Sequence, residues 1–253
     1  MLWKLLKYDF RAMGKTFAIL WPASLVVALI NRFTIPFDQP VSNELVAMVT
    51  MIAFFSLLFA TCVAVLVFIV QRFYRGLLGD EGYLMHTLPV QTWQLVASKL
   101  ICALVTALVS LVVAVGAFVL LLPIQWEKVF RLKVLQAFWE ALARQPDILL
   151  YVAEYCLLLI CGILMCVTTI YLALAVGHLF HRRRVVMSVA AFIGLDILGS
   201  VYIDVLDGLN LFHHLMARSQ HAVVWTVSLM ILLPAVAFFA GTCGILHSRL
   251  NLE

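Results

Sequence analysis

Two acidic residues stand inside long apolar stretches of the sequence, Glu154 and Asp196. Asp196 lies about eleven residues into its stretch, roughly 16 Å along a helix, and Glu154 lies about six residues from the start of another. Ionisable groups at such depth in a bilayer are costly and usually face a cavity or a partner. Both are therefore candidates for lining a translocation path. The alternative is that Asp196 is protonated or hydrogen-bonded for structure, and that Glu154 reaches the outer water.

Other residues that occur in phosphate-binding, serine-nucleophile or zinc sites do not have the spacing that these sites require. Gly14-Lys15-Thr16 resembles the end of a phosphate-binding loop, but Asp9 stands where the first glycine is needed. Ser200 lacks the flanking glycines of a nucleophile elbow, and no His-Glu-x-x-His is present. The sequence therefore predicts no catalytic residue and no bound metal. Solvent exposure is expected instead for the histidines near the sixth apolar stretch, His213, His214 and His221.

Composition places these residues in a membrane protein. The chain has 253 residues, of which 65% are hydrophobic and 12% are charged, and its mean hydropathy is +1.08. Soluble domains have about 45–50% apolar and about 25% charged residues. The net charge of +4 is interpreted as a topology signal and not as a nucleic-acid surface.

The predicted fold is all-α, a single transmembrane domain over 1–253 with six transmembrane helices. An N-terminal amphipathic elbow helix, 1–16, carries a basic stripe beside an apolar one, which suits a membrane surface with anionic lipids. An amphipathic segment at 125–147 lies on the outer surface or forms a soluble hairpin, and an outer re-entrant segment is expected at 204–221. The six predicted spans are 17–33, 45–70, 100–124, 148–180, 185–203 and 222–247.

The segment 71–99 between spans 2 and 3 combines charges, glycines and aromatic residues. Its glycines Gly76, Gly79 and Gly82 allow turns, and the pattern predicts a short helix between two turns. An apolar patch at 83–85 follows two acids and would expose apolar surface without a partner. A solvated loop with a helix cap is the alternative.

These residues resemble a known family. Arg72-Phe-Tyr-Arg, then the run 79–90 (Gly-Asp-Glu-Gly-Tyr-Leu-Met-His-Thr-Leu-Pro-Val), then Ser98-Lys99, are similar to the first cytoplasmic loop of ABC-2 type transporter permeases. The resemblance implies a coupling helix that docks on a separate ATPase. The residues that it assigns to this contact are Asp80, Glu81, Gly82, Tyr83, Leu84, Met85 and His86.

The resemblance also implies a function and partners. The chain would be the permease subunit of a bacterial ATP-driven exporter, exporting amphipathic peptides, hydrophobic toxins or drugs. ATP and Mg would bind the partner ATPase, with no cofactor on this chain. A second permease copy or a homologue would complete the path, and Ala190 and Gly194, four residues apart, would allow close helix packing there or within the chain.

Positive charge predicts the orientation. Eleven lysine and arginine residues fall in the segments placed inside and six in those placed outside when both termini are cytoplasmic. The expected location is the bacterial cell membrane, multi-pass, in contact with lipid. Two other functions stay open: an ion- or proton-coupled secondary transporter that uses Asp196 and Glu154 as carriers, and a non-transporting membrane assembly protein.

Overall fold

The chain forms six long helices in a computed structural model that describes residues 2–34, 44–79, 91–122, 140, 147–180, 183–208 and 219–248. All six are long and apolar enough to cross a membrane, which confirms the coarse prediction of an all-α, multi-pass chain. The helices are α1 (Leu2–Thr34), α2 (Glu44–Phe73), α3 (Thr92–Leu121), α4 (Asp147–His178), α5 (Arg184–Gly208) and α6 (Gln220–Ser248).

Helix lengths follow from the apolar environment that the sequence demands. In hydrocarbon every backbone N–H and C=O must be satisfied within the chain, and a continuous helix does this without a partner. The helices contain 25 to 33 residues, more than the ~20 that cross a bilayer. Tilting, or extension beyond the hydrocarbon, accommodates such an excess.

Several boundaries differ from those expected. The elbow segment and span 1 form one unbroken helix, α1, so the elbow is not confirmed as a separate element. Helix α5 continues to Gly208, through the first residues of the segment expected to be re-entrant. The rest of that segment, nearly all of 125–147 and the coupling residues 80–90 lie outside the described residues.

The chain divides into two compact units. One comprises Lys7–Phe68 and Val105–Pro146, and its apolar core contains Ala28, Phe54, Ala117 and Leu121. Phe54 also meets Phe118 edge to face at 5.6 Å, a geometry that aromatic quadrupoles favour.

Arg32 satisfies backbone groups in the same unit. Its Nη1 donates to the carbonyls of Leu120 and Leu122, at 3.2 and 2.7 Å. The last carbonyls of a helix have no intrahelical donor, so this guanidinium caps the end of α3. Asn31 is fully buried, and its Nδ2 donates to the carbonyl of Thr50 at 3.0 Å.

The other unit comprises Met1–Leu6, Ile69–Leu104 and Asp147–Glu253. Here α4 packs against both α5 and α6. A Cβ added at Gly177 of α4 would lie 2.5 Å from the backbone nitrogen of Ser188 in α5. Only glycine allows this approach, which brings the C-terminal end of α4 against the N-terminal end of α5.

Candidate functional site

The expected coupling residues, 80–86, lie outside the described residues, whereas the structure describes the residues on either side of 80–90. Helix α2 ends in one π-helical turn, Tyr74–Leu78, closed by a hydrogen bond of 2.7 Å from the Gly79 N–H to the Tyr74 carbonyl. Gly76, Leu77 and Leu78 are buried in this turn. Such turns are rare and are often found at functional sites. This one leads directly into the segment that carries the expected coupling residues.

Aromatic contacts join the end of α2 to α4. Phe73 stacks on Tyr171 with ring centroids 4.1 Å apart and an interplanar angle of 16°, and both side chains are at most 1% exposed. Two turns further along α4, His178 meets Tyr74 edge to face at 5.9 Å. Each aromatic pair contributes about 0.5–1.5 kcal/mol beyond its burial. The π-helical turn is thus fixed to the C-terminal half of α4.

The start of α3 packs on the same turn. A Cβ added at Gly76 would lie 3.1 Å from Cε of Lys99, and Lys99 is only 3% exposed. Gly76 therefore makes room for the lysine stem. Both ends of the segment 71–99 are consequently packed among buried side chains. The resemblance to permeases predicts the importance of this segment but does not predict these contacts.

Glu154 forms a second cluster near the N-terminal ends of α4 and α6. Its carboxylate is buried, with the residue 3% exposed. Oε1 accepts a hydrogen bond of 2.9 Å from Nε1 of Trp225, and Oε2 lies 2.9 Å from Nδ1 of His221. The His221 ring stacks on Tyr151 at 4.3 Å and 17°.

This arrangement satisfies both oxygens of a buried acid. An ionised carboxylate can only accept hydrogen bonds, so for an ionised Glu154 this contact requires a proton on Nδ1 of His221. The His221 side chain is 32% exposed, so the pair connects a buried carboxylate to the surface.

The sequence predicts that His221 is solvated; the residue is instead partly buried and hydrogen-bonded. Sequence reasoning missed Trp225, whose position four residues after His221 is the one available signal.

Asp196 has a different environment. It lies at the middle of α5, twelve residues after Arg184, about 18 Å along the helix. The side chain is exposed, and no described residue bonds to its carboxylate. It is not part of the Glu154 cluster, so the two acids form no common site within the described chain.

Helix α5 as a whole has no buried residue. Ala190 is exposed, and a Cβ added at Gly194 would meet nothing within 4 Å. Close packing of these two small residues within the described chain is therefore not observed. Their surface is available to lipid or to another protein.

A third feature joins α5 to α6. Pro234 has no N–H, so the carbonyl of Met230, four residues earlier, lacks its usual helical donor. The Tyr202 hydroxyl of α5 donates to this carbonyl at 3.2 Å. All three residues line an apolar cleft of about 390 Å³ between α4, α5 and α6. Sequence reasoning located Pro234 inside span 6 but could not identify the donor.

Metal ligands do not cluster in the part of the chain that the structure describes. The six cysteines all fall in described helices, and none of them forms a disulfide. Cys102 and Cys161 are buried, whereas Cys62, Cys156 and Cys166 are exposed on the helix surfaces.

Comparison of the chain with protein-family models, with curated proteins and with solved structures found no match. The similarity of the segment 71–99 to ABC-2 permeases therefore stays a prediction from its residues.

Proposed function

We propose that the chain is the permease subunit of an ATP-driven ABC exporter, coupled to a separate ATPase through the segment 71–99. The observation that supports this most is the attachment of both ends of the segment to buried residues. Phe73 stacks on Tyr171, and Lys99 lies against Gly76. Close-packed interiors transmit displacement because they compress little.

Coupling would then follow a short mechanical route. An ATPase that binds the patch Tyr83, Leu84 and Met85 would move the segment, and the π-helical turn would carry this movement to Tyr171 and so to α4. Helix α4 in turn packs against α5 and α6. ATP and Mg would bind the ATPase, since this sequence lacks a phosphate-binding loop.

A second copy of the chain, or a homologue, would pack on α5. Three properties of the helix support this: it has no buried residue, it exposes Ala190 and leaves open space beside Gly194, and it carries Asp196 at mid-length. A carboxyl group that faces only lipid is costly. A partner that supplies a donor or a water-filled path beside Asp196 would remove that cost.

The substrate class is proposed to be amphipathic peptides, hydrophobic toxins or drugs. The cleft between α4, α5 and α6 supports an apolar substrate, because its lining contains Met165, Phe238 and other apolar side chains and almost no polar surface. Ligand clefts of about 300–1,000 Å³ are typical for small molecules or a few side chains.

Co-expression tests the coupling step. The neighbouring reading frames are first searched for a nucleotide-binding domain. The full chain is then produced together with a subunit found in this way, and co-purification and ATPase activity in lipid are measured. Tyr83→Asp combined with Leu84→Asp should abolish co-purification, because two charges would replace the apolar contact. Tyr8→Asp, at an exposed position of α1, is the matched control and should leave it unchanged. Retained association of the double variant, with transport intact, would contradict the proposal.

A proton-coupled transporter is the second candidate, and the Glu154–His221 pair favours it. The pair can exchange a proton between a buried carboxylate and a partly exposed imidazole. Reconstitution into liposomes separates the two functions: gradient-driven uptake without nucleotide, lost in Glu154→Gln, would support the proton-coupled function. Transport that requires ATP and the partner subunit would support the exporter.

A further inference from the structure

A groove lies at the C-terminal end of α2, between α4 and α5. Its volume is about 420 Å³, and its walls are apolar along most of its length. Val70 of α2, Ile170 and Leu174 of α4, and Val189 and Phe192 of α5 form these walls. Val189 is 54% and Phe192 is 42% exposed. The groove is therefore open at the side, at the depth of the apolar helices, where a lipid chain can enter.

Two residues with polar groups belong to the lining, although the surface of the groove itself is almost entirely apolar. Arg184, the first residue of α5, and Tyr74, in the π-helical turn that ends α2, are part of its lining. Both mark the end of an apolar helix, which is the level at which lipid headgroups begin. No acidic residue in the described part of the chain pairs with the Arg184 guanidinium, and the neighbouring Arg183 is exposed.

We propose that this groove binds an anionic phospholipid, with one acyl chain along the apolar walls and the phosphate at Arg184 and Tyr74. An arginine presents its donors in a fork that matches phosphate oxygens, and a tyrosine hydroxyl can donate a further hydrogen bond. The apolar walls suit a hydrocarbon chain, and the Arg184 side chain, whose stem belongs to those walls, can offer its guanidinium to an anion beside them. A phospholipid with an anionic headgroup combines the two.

The position of the groove gives the bound lipid a structural consequence. It contacts the last turns of α2, the C-terminal half of α4 and the first turns of α5, at the same level as the Gly177–Ser188 approach. A lipid there would hold three helices together through apolar contacts that the protein leaves unfilled. This role does not depend on the exporter proposal, because it follows from the groove alone.

Lipid binding to the full chain in detergent tests the proposal. Native mass spectrometry measures the binding of phosphatidylglycerol and of phosphatidylcholine with identical acyl chains. The expected preference for phosphatidylglycerol is about fivefold, the effect of one basic residue near a headgroup. Inorganic phosphate at millimolar concentration should not displace the lipid. Displacement by phosphate alone would show a soluble-anion site and overturn the proposal.

Four variants locate the site. Arg184→Gln should remove the preference between the two lipids, whereas Arg184→Lys should retain part of it. Val189→Trp, which fills the groove, should weaken both lipids equally. Arg75→Gln, at an exposed cation of the same turn, is the matched control and should bind as the wild type does.

Melting temperature and gel filtration show whether each variant folds. If Arg184→Gln does not fold, Val189→Trp and Arg184→Lys still decide the outcome. An unchanged preference in the Arg184→Gln variant, an equal loss in the Arg75→Gln variant, or full lipid binding by Val189→Trp would each overturn the proposal.

Discussion

The hydrogen bond from Tyr202 to the carbonyl of Met230 predicts a specific coupling between Tyr202 and Pro234. Tyr202→Phe removes the hydroxyl and keeps the ring that lines the cleft. Because Pro234 has no N–H, the Met230 carbonyl then loses the donor that α5 supplies. Pro234→Ala restores an N–H four residues after Met230, so the hydroxyl becomes dispensable in that background.

The expected magnitude follows from hydrogen bonds between membrane helices. These average about 0.6 kcal/mol and reach about 1.7 kcal/mol. A carbonyl beside proline has fewer alternatives than most, so we expect Tyr202→Phe to cost about 1–1.5 kcal/mol in the wild-type background. In the Pro234→Ala background the cost should fall below about 0.5 kcal/mol, which gives a coupling energy near 1 kcal/mol.

Reversible unfolding of the full chain in mixed micelles measures all four members of this cycle. Tyr155→Phe, at an exposed tyrosine of α4, is the matched control and should change the free energy of unfolding by less than about 0.5 kcal/mol. An equal cost of Tyr202→Phe in both backgrounds would show that the hydroxyl acts independently of the proline, and the explanation would be wrong.

Three further predictions concern other contacts. Trp225→Phe should destabilise the chain by about 1–2 kcal/mol in micelle unfolding, because Oε1 of the buried Glu154 loses its donor; an unchanged stability would contradict this hydrogen bond. Gly177→Ala should lower the free energy of unfolding by ~1–3 kcal/mol, since its Cβ would lie 2.5 Å from a backbone nitrogen of α5. Gly162→Ala is the control: its Cβ would meet nothing within 4 Å, so this variant should be neutral or stabilising. Asp196→Leu should favour membrane insertion of α5 by about 3 kcal/mol in a glycosylation-mapping assay; no change would show that the carboxyl does not face hydrocarbon during insertion.

Hydropathy predicted the number of helices but not all of their ends. A helix in water beyond the bilayer is limited by capping and packing and not by hydrophobicity. The pattern predicts that span 5 ends at Ile203, and helix α5 continues beyond it to Gly208. Similarly, the change from an amphipathic to an apolar pattern near Thr16 predicts a separate elbow helix, which the continuous helix α1 does not confirm.

Sequence reasoning identified Glu154 as unusual because an acid stood in an apolar stretch. It could not identify the bonded partners, because His221 and Trp225 are 67 and 71 residues away along the chain and only tertiary packing brings them together. Asp196 was identified for the same reason, yet it is exposed and outside that cluster. Hydropathy identifies an acidic residue inside an apolar stretch. The packing of neighbouring helices then determines whether its carboxylate is buried and hydrogen-bonded, as at Glu154, or exposed, as at Asp196.

Helix α5 has no buried residue along its length. This affects how the protein should be extracted from the membrane and purified. Extraction exchanges native neighbours for detergent, and this helix has the least protection from its own chain. Samples prepared with harsh, short-chain detergents should therefore lose order there first, and spectroscopic labels on α5 should detect that loss before labels on α4 do. Preparations that retain a belt of native bilayer, such as polymer-bounded discs, are the better starting material for work on this chain.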